Sequence, residues 1–190
     1  MIKKLSFLLL FTVICGCSST KKIDHSHLFT KAPVVTGSLI NATAFQREGS
    51  LVLGVFKPGP DAAANDETDR LSLMLIKGIK ETLLQEKTAH FKILDDDQKN
   101  PDFVMDGYIE GYTKAGRFSH LLWHKNEARL SVDGEIWLQK TGEKIFMFQA
   151  SEVINLNNQN SLSAAYQMGA AIAEFISKYD HPQENLNSGV

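Results

Sequence analysis

Beyond residue 17 this chain of 190 residues contains no cysteine; its only two, Cys15 and Cys17, stand near the start. That excludes a disulfide-stapled miniprotein. An excess of one charge is also missing. Twenty Lys and Arg face 22 Asp and Glu, for a net charge of −2, so the basic surplus typical of nucleic-acid binders is absent and no nucleic-acid partner is expected. Thirteen glycines and five prolines are too few for a collagen-like rod or a low-complexity chain. A hydrophobic share of 43% with 22% charged residues excludes wholesale disorder. There is no repeat at solenoid spacing, no P-loop and no G-x-G-x-x-G. One globular domain is the natural count at this length.

What is present begins at the N-terminus. Lys3 and Lys4 precede a run from Leu5 to Cys15 that is apolar except for Ser6 and Thr12. The run is too short to cross a bilayer as a helix, which takes about 20 apolar residues, and its length and flanks fit a secretory signal. Ile14-Cys15-Gly16-Cys17 then resembles the bacterial lipobox, with Cys15 where Ser, Thr or Ala is more usual. The resemblance implies a diacylglyceryl thioether on Cys17, cleavage before it and acylation of the new amino terminus (a palmitate-type anchor). Each buried CH₂ contributes about 0.8 kcal/mol, so several acyl chains hold a protein stably where one does not. Ser18 and Ser19 follow instead of Asp, and the sorting rule that comes with the lipobox then directs the chain to the periplasmic face of the outer membrane.

The body divides into a lipidated Cys and tether over 17–49, an α+β domain over 50–180 and a polar tail over 181–190, behind a signal peptide at 1–16. Val34-Val35 and Leu39-Ile40 fit an extended lead-in strand within the tether. Leu51 to Phe56 is an apolar run stopped by Pro58-Gly59-Pro60 and reads as a buried strand. Leu71, Met74, Leu75, Gly78, Ile79 and Leu83 recur at three- and four-residue spacing, which predicts a helix from about Glu67 to Glu86, capped by Asn65 or Asp66. Gly78 in that stripe points to close packing on a sheet. Phe91 to Leu94 is a short strand. Phe103 to Thr113 and Glu127 to Gln139 alternate apolar and polar residues, as strands wet on one face do. Lys140 to Glu143 turns the chain, and Lys144 to Ile154 returns as a hairpin partner. Leu162 to about Tyr179 repeats the helical pattern, with Ser161 as its cap. The order predicts a two-layer α+β sandwich: a mostly antiparallel sheet of about five strands with two helices packed on one face.

In residues 50–179 this order resembles a group of envelope lipoproteins that includes the curli-secretion lipoprotein, the penicillin-binding-protein activator lipoprotein B and the YajG-type lipoproteins. The resemblance rests on "LVLGVF" (Leu51 to Phe56), "FKILD" (Phe91 to Asp95), "PDFVMDGYIEG" (Pro101 to Gly111), "KTGEK" (Lys140 to Lys144) and an Ala-rich last helix. It implies the fold and an envelope role, not an activity. The thirteen residues from Lys114 to Asn126 are too few for a membrane hairpin, whose strands need about 9–11 residues each, so a curli-type pore is rejected.

Candidate chemistry is sparse. His120 and His124 are four apart and would share a helix face, but no Cys or Asp accompanies them. Asp95, Asp96, Asp97 and Asp102 lack the glycine and closing glutamate of a calcium loop. Neither set is read as a metal site, and no cofactor is expected. Asp106, Glu110, Asp133 and Glu135 lie on wet strand faces, where alternation supplies carboxylates without catalysis. Ser131 and Ser151 have no nucleophile elbow. The suggestive cluster is apolar: Phe118, Leu121, Leu122 and Trp123 in one loop with Arg117, His120, His124 and Lys125. Tyr108, Tyr112 and Trp137 are expected on the outer face of the sheet. The candidate partner-binding residues are therefore Arg117, Phe118, Leu121, Leu122, Trp123 and Trp137. The loop serves equally as a lid over the core or a contact with the membrane surface. The expected function is non-enzymatic: an envelope lipoprotein that binds an envelope protein in assembly or regulation, itself able to oligomerise. A carrier of a small or lipidic ligand, and a carboxylate-dependent hydrolase, are the alternatives.

Overall fold

The computed structural model describes residues 32–86, 90–94, 100–114 and 126–179. The elements in chain order are β1 (Val34–Leu39), α1 (Ala42–Phe45), β2 (Gly49–Asp61), α2 (Asp66–Gln85), β3 (Phe91–Ile93), β4 (Phe103–Lys114), β5 (Glu127–Leu138), β6 (Lys144–Asn155) and α3 (Ser161–Tyr179). The strands form one sheet in the order β1-β6-β5-β4-β2-β3.

The sheet is mixed and six-stranded, where a mostly antiparallel sheet of about five was expected. β1, β6, β5 and β4 are successively antiparallel, but β2 runs parallel to both β3 and β4. The reason is the 20-residue helix α2, which carries the chain back along β2 so that the next strands start at the same end. The continuous apolar run Leu51 to Phe56, with little alternation, is the sequence trace of a strand paired on parallel neighbours. β1 is the sixth strand. It pairs with β6 from Val34↔Ser151 to Leu39↔Phe146, so the domain starts before residue 50 and part of the expected tether belongs to the sheet.

Capping residues set the helix starts. Asn65 Oδ1 accepts the backbone N–H groups of Glu67 and Thr68, each at 3.0 Å. At α3 the cap is Asn160, whose Oδ1 accepts the N–H of Ser163 at 2.7 Å, and not Ser161. Gly142, at φ +71°, makes the β5–β6 turn with its N–H donated to the Leu138 carbonyl at 2.8 Å.

Leu71, Leu75, Ile79 and Leu83 of α2 and Ala165, Met168, Ile172 and Ile176 of α3 are buried against the core face of the sheet. Phe45 of α1 closes one end, with its ring 5.5 Å from Phe91 and 5.1 Å from Phe146. Gly78 serves a contact other than the one expected. A Cβ there would stand 2.1 Å from the Tyr166 carbonyl oxygen of α3, and one on Gly169 would stand 2.1 Å from the Leu75 carbonyl oxygen of α2. The two helices therefore cross backbone to backbone at Gly78 and Gly169, and the small residues in both stripes serve helix-on-helix packing.

Gly169→Ala is expected to destabilise the domain by about 1–3 kcal/mol, because the added methyl must push the helices apart. The better helix propensity of Ala, worth about 1 kcal/mol, works the other way. Urea unfolding of the two proteins checks the sign: a lower midpoint at unchanged slope is the expected result.

Candidate functional site: the open face of the sheet

Both long helices lie on one face of the sheet, so the other face is uncovered by any described element. Its residues are the outward half of each alternating strand. The register sets Tyr108 opposite Asp133 and Asp106 opposite Glu135, then Gln149 and Met147 of β6 opposite the same two acids. Thr36 and Ser38 of β1 continue these rows. A groove of about 420 Å³ crosses them, walled by Thr36, Tyr108, Glu110, Asp133, Glu135 and Gln149.

Three of the four strand carboxylates are held by neighbours. The Trp137 indole Nε1 donates to Asp106 Oδ1 at 3.4 Å, and Gln149 Nε2 donates to Asp133 Oδ2 at 3.0 Å. Lys144 Nζ lies 2.5 Å from Glu135 Oε2. Its ammonium is held above the usual lysine range by the hydrogen bond and charge of Glu135, helped by Asp106. The apolar residues are less contained. Tyr108 is 50% exposed, and Val34, Met147 and Val153 are also exposed here. Such large side chains standing in water beside polar ones make a contact surface.

The sequence-derived site residues fall out unevenly. Trp137 sits half-buried on this face, as expected, and so do Asp106, Glu110, Asp133 and Glu135. Cys17, Arg117, Phe118, His120, Leu121, Leu122, Trp123, His124 and Asp95 to Asp97 lie outside the described residues. Tyr112 is on the other face. A β-bulge at Glu110 shifts the β4 register between Ile109 and Gly111, and this turns Tyr112 onto the core side. Its hydroxyl contacts Ser161 Oγ and donates to Glu67 Oε1 at 3.2 Å, so it ties the end of β4 to the starts of both long helices. Asp102 is structural: Oδ2 accepts the Ser50 N–H at 2.8 Å and its hydroxyl at 2.7 Å. These two bonds, the backbone one first, hold its carboxyl below the usual range. Among the described residues no group of three or more His, Cys, Asp or Glu could hold a metal ion, and no helix is long and apolar enough to cross a membrane.

One notable residue escaped the sequence reading. Glu152 occupies a core-facing position of β6, between Ala150 and Ile154, and is only 4% exposed. Neither carboxyl oxygen accepts a well-formed hydrogen bond. Burial pushes its carboxyl up to about 7, with a weaker opposing pull from the adjacent Gln159 amide. The period-two pattern of β6 was the available signal, since Phe146, Phe148, Ala150, Glu152 and Ile154 share one side.

No protein-family model and no curated protein matches this chain. Solved structures do. The PelC dodecamer from Paraburkholderia phytofirmans aligns at a TM-score of 0.53 and 15% identity, over 80% of this chain and 99% of that one. A point variant of the same dodecamer aligns at 0.51 and 13%, over 76% and 97%. The likeness is one of fold. Lipoprotein GNA1162 from Neisseria meningitidis aligns at 0.45 and 10% identity, over 66% of this chain and 96% of its own.

The raised Glu152 carboxyl has a signed consequence. The folded state holds this proton more tightly than the unfolded chain, so the contribution is full below about pH 4.5 and is lost as the pH rises through about 7. Glu152→Gln keeps the shape without the charge. Its stability advantage over the native protein is expected to be near zero at low pH and to reach about 3 kcal/mol at most above neutrality. Denaturant midpoints of both proteins, taken across that pH range, measure it.

Proposed function

We propose that this chain is a lipid-anchored envelope lipoprotein without catalytic function, and that its open sheet face receives a protein partner in assembly or regulation. The observation that carries the reading is the face itself. One side of a six-stranded sheet is left without a helix, and Val34, Tyr108, Met147 and Val153 stand exposed on it among polar residues. Interfaces combine apolar anchors with a polar surround in this way. The lipobox at Cys17 supports anchoring, with Ser18 and Ser19 favouring the outer membrane over retention in the inner one. The motif order supports kinship with the curli-secretion, penicillin-binding-protein activator and YajG-type group. PelC, which shares the fold, is a dodecamer, so self-association belongs to the same proposal.

The alternatives receive less support. A hydrolase needs a carboxylate free to donate or accept a proton in a cleft. Here Asp106, Asp133 and Glu135 are engaged by Trp137, Gln149 and Lys144 on an open surface. The carrier reading drew on the Ala and Gly stripes of the two helices, and those stripes are filled by the contact at Gly78 and Gly169.

Cys17→Ser is expected to abolish fatty-acid labelling of the chain in growing cells and to release it from the membrane fraction. Tyr108→Glu with Met147→Glu is expected to keep the label and the fold but to lose proteins crosslinked to the native chain. Labelling that survives Cys17→Ser contradicts the anchor, and an unchanged crosslinking pattern in the double variant contradicts the face.

A further inference from the structure

α2 carries a second stripe opposite its buried one. Arg70, Leu73, Lys77, Lys80 and Leu84 recur at spacings of three, four, three and four residues, which keeps them on one side of the helix. Leu73 is 67% exposed and Leu84 is 62% exposed, and both stand farther into solvent than any other large hydrophobic among the described residues apart from Val55. Arg70 and Lys77 are exposed beside them, and Lys80 is half-buried. Two acids approach the stripe only in the first turn, where Asp66 and Asp69 complement the helix dipole. Glu81 is drawn to the flank: its Oε2 accepts the Tyr166 hydroxyl of α3 at 2.8 Å, and its Oε1 lies 3.9 Å from Lys77 Nζ.

We propose that this stripe rests on an anionic phospholipid surface. The inference rests on the membrane-anchored reading above and adds to it the side of the domain that touches the bilayer. Leucines between cations on one helix side are the pattern of a helix lying in the interface plane. Lipid headgroups carrying negative charge complement Arg70, Lys77 and Lys80, and each such cation near a membrane surface strengthens binding about fivefold. The stripe from Arg70 to Leu84 is about 21 Å long at 1.5 Å per residue. Its intrinsic affinity need only be weak. The fifteen residues from Cys17 to Lys31 span at most about 50 Å, so an acylated Cys17 keeps the domain near the bilayer at an effective concentration on the order of millimolar. α2 lies on the sheet face opposite the open one, so this orientation turns Tyr108, Met147 and the groove away from the lipid and toward a partner.

The test uses the mature acylated chain in vesicles of phosphatidylethanolamine with phosphatidylglycerol, and in vesicles of phosphatidylcholine alone. Acylation leaves no free thiol, so Leu84→Cys or Tyr108→Cys takes a single fluorophore. Lipid-borne quencher is expected to reach the probe at Leu84→Cys several-fold more than the probe at Tyr108→Cys. The difference should occur only with phosphatidylglycerol and should diminish with added salt. Adding Lys77→Glu should cut the contact by more than fivefold while the melting curve stays in place. Equal quenching at both positions overturns the inference, as does contact that is indifferent to phosphatidylglycerol and to Lys77→Glu. Stronger quenching at Tyr108→Cys would put the open face on the bilayer instead. Protection of the Leu84→Cys probe in whole cells but not in vesicles would assign the stripe to a protein and also overturns it. A chain that does not partition into vesicles at all contradicts the anchor, which separates that failure from failure of the stripe.

Discussion

Everything on the helical side of this domain depends on how closely α2 and α3 approach. Two helices must cover the core face of a six-stranded sheet, and they cross where Gly78 meets the Tyr166 carbonyl and Gly169 meets the Leu75 carbonyl. With no side chain between them, the helices sit as one layer. That allows Leu71, Leu75 and Ile79 from one helix and Met168, Ile172 and Ile176 from the other to reach the sheet with almost no exposure. Interior packing at native density tolerates little slack, so a methyl at this crossing displaces both helices from the sheet.

The same economy leaves the second face of the sheet bare, and the two sides of the domain differ in character. The helical side presents the stripe of Arg70, Lys77 and Lys80 with two exposed leucines. The sheet side presents Asp106, Glu110, Asp133 and Glu135, with Tyr108 and Met147 among them. An anionic bilayer attracts the first and repels the second, so simple electrostatics orients a tethered domain with its open face outward. Trp137, Gln149 and Lys144 hold three of the acids in place and keep the open face ordered without covering it.

Much of this was legible in the sequence where one periodicity ruled. Glu127 to Leu138 alternates without interruption and forms β5 almost as read, and the helical stripe ending at Leu83 gives α2 to within a residue. Legibility failed where geometry is set by distant chain. The bulge at Glu110 reverses the side on which Tyr112 lies, and no local pattern reports it. The parallel pairing of β2 follows from the return path of α2. The role of Gly78 needed the position of α3. Of the candidate site, Trp137 and the strand acids were placed correctly because alternation fixes their face. Glu152 was missed although the same rule pointed to it, because a glutamate at a buried position contradicts the ordinary preference of that residue.

The central claim is that the open face is an interaction surface rather than plain solvent-exposed sheet. Oxidative footprinting of the chain in the intact envelope, compared with the purified domain, addresses it most directly. In the purified domain Met147, 44% exposed, and Tyr108 should oxidise readily, and Met105 and Met168, fully buried, should not. In the envelope the account predicts strong protection of Met147 and Tyr108 with the buried pair unchanged. Equal oxidation of Met147 and Tyr108 in the two settings would contradict it.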